Sequence, residues 1–167
     1  WDTLNPSTTY VKNRIVGTRY FRIRNDPRLE VAFRGAAGAN VGASIDDIPA
    51  DERYYAGGGG SIRGVPFQTA GPLDGDTPTG GRSVLEASAE ARYQLFESLE
   101  GAVFIDGGSA FEDELPQFDS AWQFGTGVGV RYLTPVGPIR LDVAVPVDKR
   151  SGVDDSYQLY ISIGQAF

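Results

Sequence analysis

The sequence contains no Cys, no His and no Met among its 167 residues. Without Cys there are no disulfides, thiolate nucleophiles or Cys-based metal sites. Without His the commonest general base and the commonest metal ligand are gone. Both absences count against most hydrolase and metalloenzyme readings. Nor is there an apolar run near the roughly 18–20 residues of a membrane helix; the longest are a few residues, such as Val143-Ala144-Val145. A helical membrane protein is therefore excluded. A membrane barrel is not, because its strands need only about 9–11 residues each with one apolar face. Basic residues are also in the minority, 15 against 22 acidic for a net charge of −7, which argues against nucleic acid as a partner. The chain starts at Trp1 with neither an initiator Met nor a basic and then apolar leader. Any export signal is expected in a part not included here.

What the sequence does have is a period of two. Leu85, Ala87, Ala89, Ala91, Tyr93 and Leu95 alternate with Glu86, Ser88, Glu90, Arg92 and Gln94. Successive strand residues point to opposite faces, so this segment is a strand with one apolar and one polar face. Trp122 to Tyr132, Ile139 to Val145, Tyr157 to Phe167 and Leu29 to Ala43 alternate in the same way. Gly101 to Gly108 reads as a shorter strand. Tyr10 to Ile23 reads as a strand whose alternation breaks around Gly17 to Phe21, where a bulge is expected. The total is seven strands.

The connections alternate in length. Asn25 to Arg28, Glu97 to Glu100 and Thr134 to Pro138 are short; Ser44 to Ser83, Ser109 to Ser120 and Val147 to Ser156 are long. Short turns on one side and long loops on the other are the layout of outer-membrane barrels. With short turns in the periplasm, Phe167 ends at the periplasmic rim. A soluble antiparallel sandwich acting as a binding module also alternates, and periodicity alone leaves both open. Strand length, aromatics at the ends of the apolar faces (Trp122, Tyr132, Tyr157, Phe167) and Gly-rich polar faces favour the membrane barrel. Seven strands would leave two unpaired edges, and single-chain bacterial barrels use even numbers, so part of a larger barrel is expected.

The segment Arg53-Tyr54-Tyr55-Ala56-Gly57-Gly58-Gly59-Gly60-Ser61-Ile62-Arg63-Gly64 resembles the long-loop motif of the BamA/TamA outer-membrane insertase superfamily, the bacterial surface antigen family. Ala87 to Tyr93, Ala102 to Gly108, Gly125 to Tyr132 and Thr134 to Asp142 are similar, in order, to the family's following strands. The resemblance covers about residues 29 to 167, with the TamA-like branch nearest. It implies an all-β antiparallel transmembrane barrel of about sixteen strands, of which residues 1–167 supply the last seven, preceded by periplasmic POTRA domains. It further implies a non-enzymatic role without cofactor or metal, assembling outer-membrane proteins or autotransporters as unfolded clients. The surroundings are the lipid bilayer of the bacterial outer membrane, with a periplasm-spanning partner reached through the POTRA domains. A passive pore or structural barrel is the alternative.

By resemblance, the loop of about 44–83 folds into the lumen. Ser61, Ile62, Arg63 and Gly64 lock it there, with Arg63 meeting Glu90 and Asp106 on the wall. A guanidinium between two carboxylates makes charge-assisted, bidentate hydrogen bonds. The plainer reading is a solvated loop arginine. Gly57, Gly58, Gly59 and Gly60 suit a hinge at positive φ; no Lys or βαβ context supports a phosphate cradle. Asp106-Gly107-Gly108 also has the look of a hairpin turn. Asp46, Asp47, Asp51, Glu52, Asp74, Asp76, Glu112, Asp113, Glu114, Asp154 and Asp155 read as solvated loop acids rather than a calcium site. Phe167 is an interfacial anchor and, by resemblance, part of a recognition signal at the C-terminal rim and seam.

Overall fold

In the computed structural model, residues 9–118, 122–135 and 137–164 are described. The strands are β1 (Val11–Asn25), β2 (Arg28–Val41), β3 (Leu73–Asp74), β4 (Thr77–Pro78), β5 (Ser83–Phe96), β6 (Leu99–Phe111), β7 (Gln123–Tyr132), β8 (Ile139–Pro146) and β9 (Gln158–Ile163). Seven of them form one antiparallel sheet in the order β1-β2-β5-β6-β7-β8-β9. Each strand of this sheet pairs with the next in chain order, β2 reaching β5 across the long loop. β3 and β4 make a separate ribbon inside the long loop. That loop also holds two single-turn 3-10 helices, Ile45–Asp47 and Ala50–Glu52.

The period of two becomes two faces. Glu86, Ser88, Glu90 and Arg92 of β5 are buried, as are Ala102, Phe104 and Asp106 of β6 and Arg140, Asp142 and Ala144 of β8. The opposite face carries Val103, Ile105, Val128, Leu141, Val143, Leu159 and Ile161, all exposed. This is a soluble protein turned inside out: charge is sheltered and aliphatic side chains face outward, as a lipid-facing barrel wall requires. The small hydrophobic core (Tyr54, Ala56, Ile62, Val65, Ala70 and Val84) lies where the long loop covers the inner wall.

Three details differ from the sequence reading. The register of β1 shifts between Arg22 and Arg24 rather than around Gly17 to Phe21. Gly17 simply pairs with Gly35, and two facing glycines break the apolar alternation without breaking the ladder. Second, Asp106-Gly107-Gly108 is not a turn; it lies within β6, which runs on to Phe111. Gly107 and Gly108 there make room for Phe124 and for the β5 backbone. Third, β6 begins at Leu99, inside the turn expected over Glu97 to Glu100, so that turn shrinks to Glu97 and Ser98.

Candidate functional site

The long loop is fastened to the inner wall from one side of the sheet to the other. Near its start the Tyr54 hydroxyl donates to the Asn13 carbonyl of β1 at 2.6 Å, and its ring lies against Gly38 of β2. Burial raises the Tyr54 pKa above its ordinary value, against the lowering effect of Lys12 and Arg14. The Asn40 amide donates to the Glu52 carbonyl at 2.9 Å.

Further along, Ser61 accepts from the Gly57 backbone N–H at 3.0 Å and donates to Glu86 on β5. Glu86 also accepts from both terminal nitrogens of Arg34 at 3.2 Å. Of the four expected hinge glycines, Gly57 and Gly58 have positive φ, at 107° and 94°. Gly59 and Gly60 do not, and Gly60 has open space where a Cβ would stand. Ile62 is fully buried in the core under the loop.

Arg63 is the centre of the arrangement. Its side chain is 3% exposed. Nε donates to Asp106 Oδ2 at 2.7 Å and Nη2 to Asp106 Oδ1 at 2.9 Å, the parallel pair of a fork. The Arg63 backbone N–H adds a third bond to the same carboxylate at 3.0 Å. Nη1 donates to Glu90 at 2.7 Å and reaches Asp142 of β8 at 3.5 Å. The guanidinium lies 3.4 Å from the centroid of the Phe104 ring, a cation–π stack. Burial alone would lower the Arg63 pKa, but hydrogen bonds and charge from Asp106 and Glu90 outweigh it and raise the pKa above the usual arginine value. The charge is permanent.

Arg63, Glu90 and Asp106, singled out in the sequence, therefore meet. The sequence reading missed the rest of the cluster. Asp142 accepts from Arg131 and from Arg140 Nη2 at 3.0 Å. Glu90 accepts from Arg131 Nη2 at 3.0 Å and Arg92 Nε at 2.7 Å. Four arginines thus share three carboxylates, two of which, Glu90 and Asp142, are already paired with wall arginines where Arg63 docks. Inward parity could have found Arg131, Arg140 and Asp142, because they alternate with the outward Val130, Leu141 and Val143.

Backbone closeness completes the lock. Gly64 has φ +93°, and a Cβ there would stand 2.6 Å from the Val145 carbonyl oxygen. Across the strap, a Cβ on Gly125 of β7 would overlap the Arg63 carbonyl. The glycines of the polar face, poor material for a soluble core, are here the surface on which the loop lies.

The loop acids divide. Asp47 accepts from Ser44 and Glu52 from Lys12, both at the surface. Glu114 accepts from Arg82 and from the Gly42 N–H. Asp154 departs from the solvated reading. It is buried and takes the Arg150 N–H at 2.7 Å, Nε at 2.9 Å and Nη2 at 2.7 Å. Burial would raise its pKa, but the bonds and charge of Arg150 hold it below the ordinary carboxylate value. Phe167 lies outside the described residues.

A model of the Omp85 superfamily domain matches residues 3–167. The chain belongs to the Omp85 superfamily. Among its Omp85 relatives, the outer membrane protein assembly factor BamA of Nitratidesulfovibrio vulgaris is 26% identical over 164 residues, 95% of this chain and 20% of that protein. BamA of Neisseria meningitidis serogroup B is 23% identical over 83% of this chain and 22% of its own length. The chloroplastic outer envelope protein 39 of Arabidopsis thaliana is 27% identical over 62% of this chain and 29% of its own. The chain thus spans between a fifth and a third of these relatives. In fold, it superposes on the crystal structure of BamA from Haemophilus ducreyi lacking POTRA domains 1–3, with a TM-score of 0.74 and 20% identity, over 91% of this chain and 34% of that one. This Omp85 chain thus has the fold of the C-terminal part of the BamA barrel, an antiparallel sheet of seven strands.

Proposed function

We propose that this chain is the wall-and-lock part of an outer-membrane protein insertase, in which Ser61, Ile62, Arg63 and Gly64 pin the long loop to the barrel interior through Asp106 and Glu90. The observation that carries the reading is the buried Arg63 fork. A desolvated arginine shared among three carboxylates is costly to assemble and strongly destabilising to break. A strap so fastened holds the interior in one arrangement while strands add at an edge. Client strands join by edge pairing of backbone hydrogen bonds, a form of β-augmentation that needs no covalent chemistry. The named functions of the BamA relatives support outer-membrane protein assembly. We assign this chain to the last seven of about sixteen barrel strands, with POTRA domains upstream and Gly57 and Gly58 as the hinge of the strap. The TamA-like branch and autotransporter clients rest on the motif resemblance alone.

The test is charge reversal in the full-length protein. Asp106→Arg or Glu90→Arg is expected to release the loop to added protease and to lower the steady-state level of folded outer-membrane proteins in cells. Wild-type client levels with the loop released would overturn the lock. Single-channel conductance with solute selectivity and no assembly defect would point to the pore instead.

A further inference from the structure

We propose that Tyr160 and the Arg150–Asp154 clasp are positioning groups that couple the long loop to the last hairpin, so that docking of Arg63 sets the order of the edge strand β9. The inference rests on the reading of the loop as a lock.

Among the described residues β9 is one of the two outer strands of the sheet. Six residues of it are described, its ladder partner is β8, and its outward side chains Leu159, Ile161 and Ile163 are exposed. A strand so placed frays unless something on its inner face restrains it. Tyr160 supplies the restraint. It is half-buried on the inner face, and its hydroxyl accepts the Gly64 N–H at 3.0 Å. Gly64 is the residue next to Arg63, so the bond exists when Arg63 is docked. The Tyr160 ring also lies on Gly59; a Cβ there would be 2.7 Å from Cδ1. One side chain of the edge strand thus contacts both ends of the Gly59–Gly64 turn.

The second tie is at the loop end of the hairpin. Arg150, in the β8–β9 loop, donates through Nη1 to the Thr69 carbonyl at 2.7 Å and through Nη2 to the Thr69 hydroxyl at 3.2 Å. Asp154 fixes that guanidinium with its two oxygens and also caps the Arg150 N–H. Thr69 lies five residues beyond Gly64 in the same strap. The strap therefore holds the last hairpin at a strand and at its loop, while its own position is set by the charge cluster on β5, β6 and β8. A small interior shift is in this way delivered to β9, an outer strand of the described sheet.

The experiment is hydrogen exchange on the full-length protein in lipid nanodiscs, read at residues 158–163, for wild type, Tyr160→Phe, Arg63→Ala and the double variant. Tyr160→Phe keeps the ring and removes the acceptor; exchange in β9 is expected to rise about fivefold, the consequence of one neutral hydrogen bond. Arg63→Ala is expected to raise β9 exchange as well, although the hydrogen bonds of the Arg63 side chain go to β5, β6 and β8. The double variant is expected to match the larger single effect rather than their product, the mark of a shared link. Arg150→Gln, on the loop rather than in the strand, gives a second reading and is expected to loosen β9 in the same direction. Multiplicative effects, or no β9 response to Arg63→Ala, would overturn the coupling. Client assembly by Arg63→Ala, measured in parallel, reports on the lock separately: impaired assembly with multiplicative exchange leaves the lock standing and removes the coupling.

Discussion

At the scale of single residues, Arg63 differs from its neighbours in how its partners are themselves supported. Glu90 keeps Arg92 and Arg131, and Asp142 keeps Arg131 and Arg140, when Arg63 is removed. Asp106 has no such reserve among the contacts described: all three of its hydrogen bonds come from Arg63. Arg63→Ala is therefore expected to cost about 3–5 kcal/mol, most of it the stranded Asp106 charge. Adding Asp106→Asn should recover a large part of that loss, and equilibrium unfolding of the two variants in detergent would show it. Arg63→Lys keeps the charge but not the planar fork, and should fall between wild type and alanine. Asp154 makes a separate prediction on pH. Its folded pKa lies below the ordinary 3.8, so the clasp contributes in full above that value. The contribution is lost as pH falls through the lower folded value. Hydrogen-exchange protection at residues 150–156, taken relative to the intrinsic rate at each pH, should stay constant from neutral pH down to the ordinary carboxylate range and fall in acid below it; Asp154→Asn should show the acid level of protection at neutral pH.

At the scale of elements, the design is a strap laid on a glycine-surfaced wall. Gly125→Ala would drive a methyl group into the Arg63 carbonyl. It is expected to release the loop as effectively as Arg63→Ala while leaving every charge in place, which limited proteolysis within residues 57–65 would detect. The strands were legible in the sequence because a two-residue period with Leu85 to Leu95 out and Glu86 to Gln94 in admits one register per hairpin. The β6 boundary was not legible, because Asp106-Gly107-Gly108 has turn composition while its glycines serve close packing inside a strand. Arg63, Glu90 and Asp106 were found through motif resemblance and parity together. Tyr160 and Arg150 were not, since their partners Gly64 and Thr69 are in the long loop, whose path over the wall depends on contacts across 96 and 81 positions of sequence, and Asp154 was read as solvated because its burial follows from Arg150 docking on that loop. No local period encodes those.

At the scale of the whole molecule, charge inside and aliphatic side chains outside make one wall of an outer-membrane barrel. The polarity of that wall predicts an asymmetry. Val128→Arg, on the exposed apolar face, should destabilise the barrel in lipid by about 2–4 kcal/mol if it sits near the bilayer midplane. Thr18→Arg, exposed on the inner face opposite Arg34, should cost less; unfolding from liposomes distinguishes the two. The central claim is that the locked loop serves assembly rather than shape alone. Reconstituting full-length Arg63→Ala in liposomes and following the folding of an unfolded outer-membrane protein client tests it most directly. The account predicts client folding slowed tenfold or more, since a loss of about 1.4 kcal/mol already suffices for a factor of ten. Client folding at the wild-type rate, with the barrel intact and the loop shown by proteolysis to be released, would contradict it.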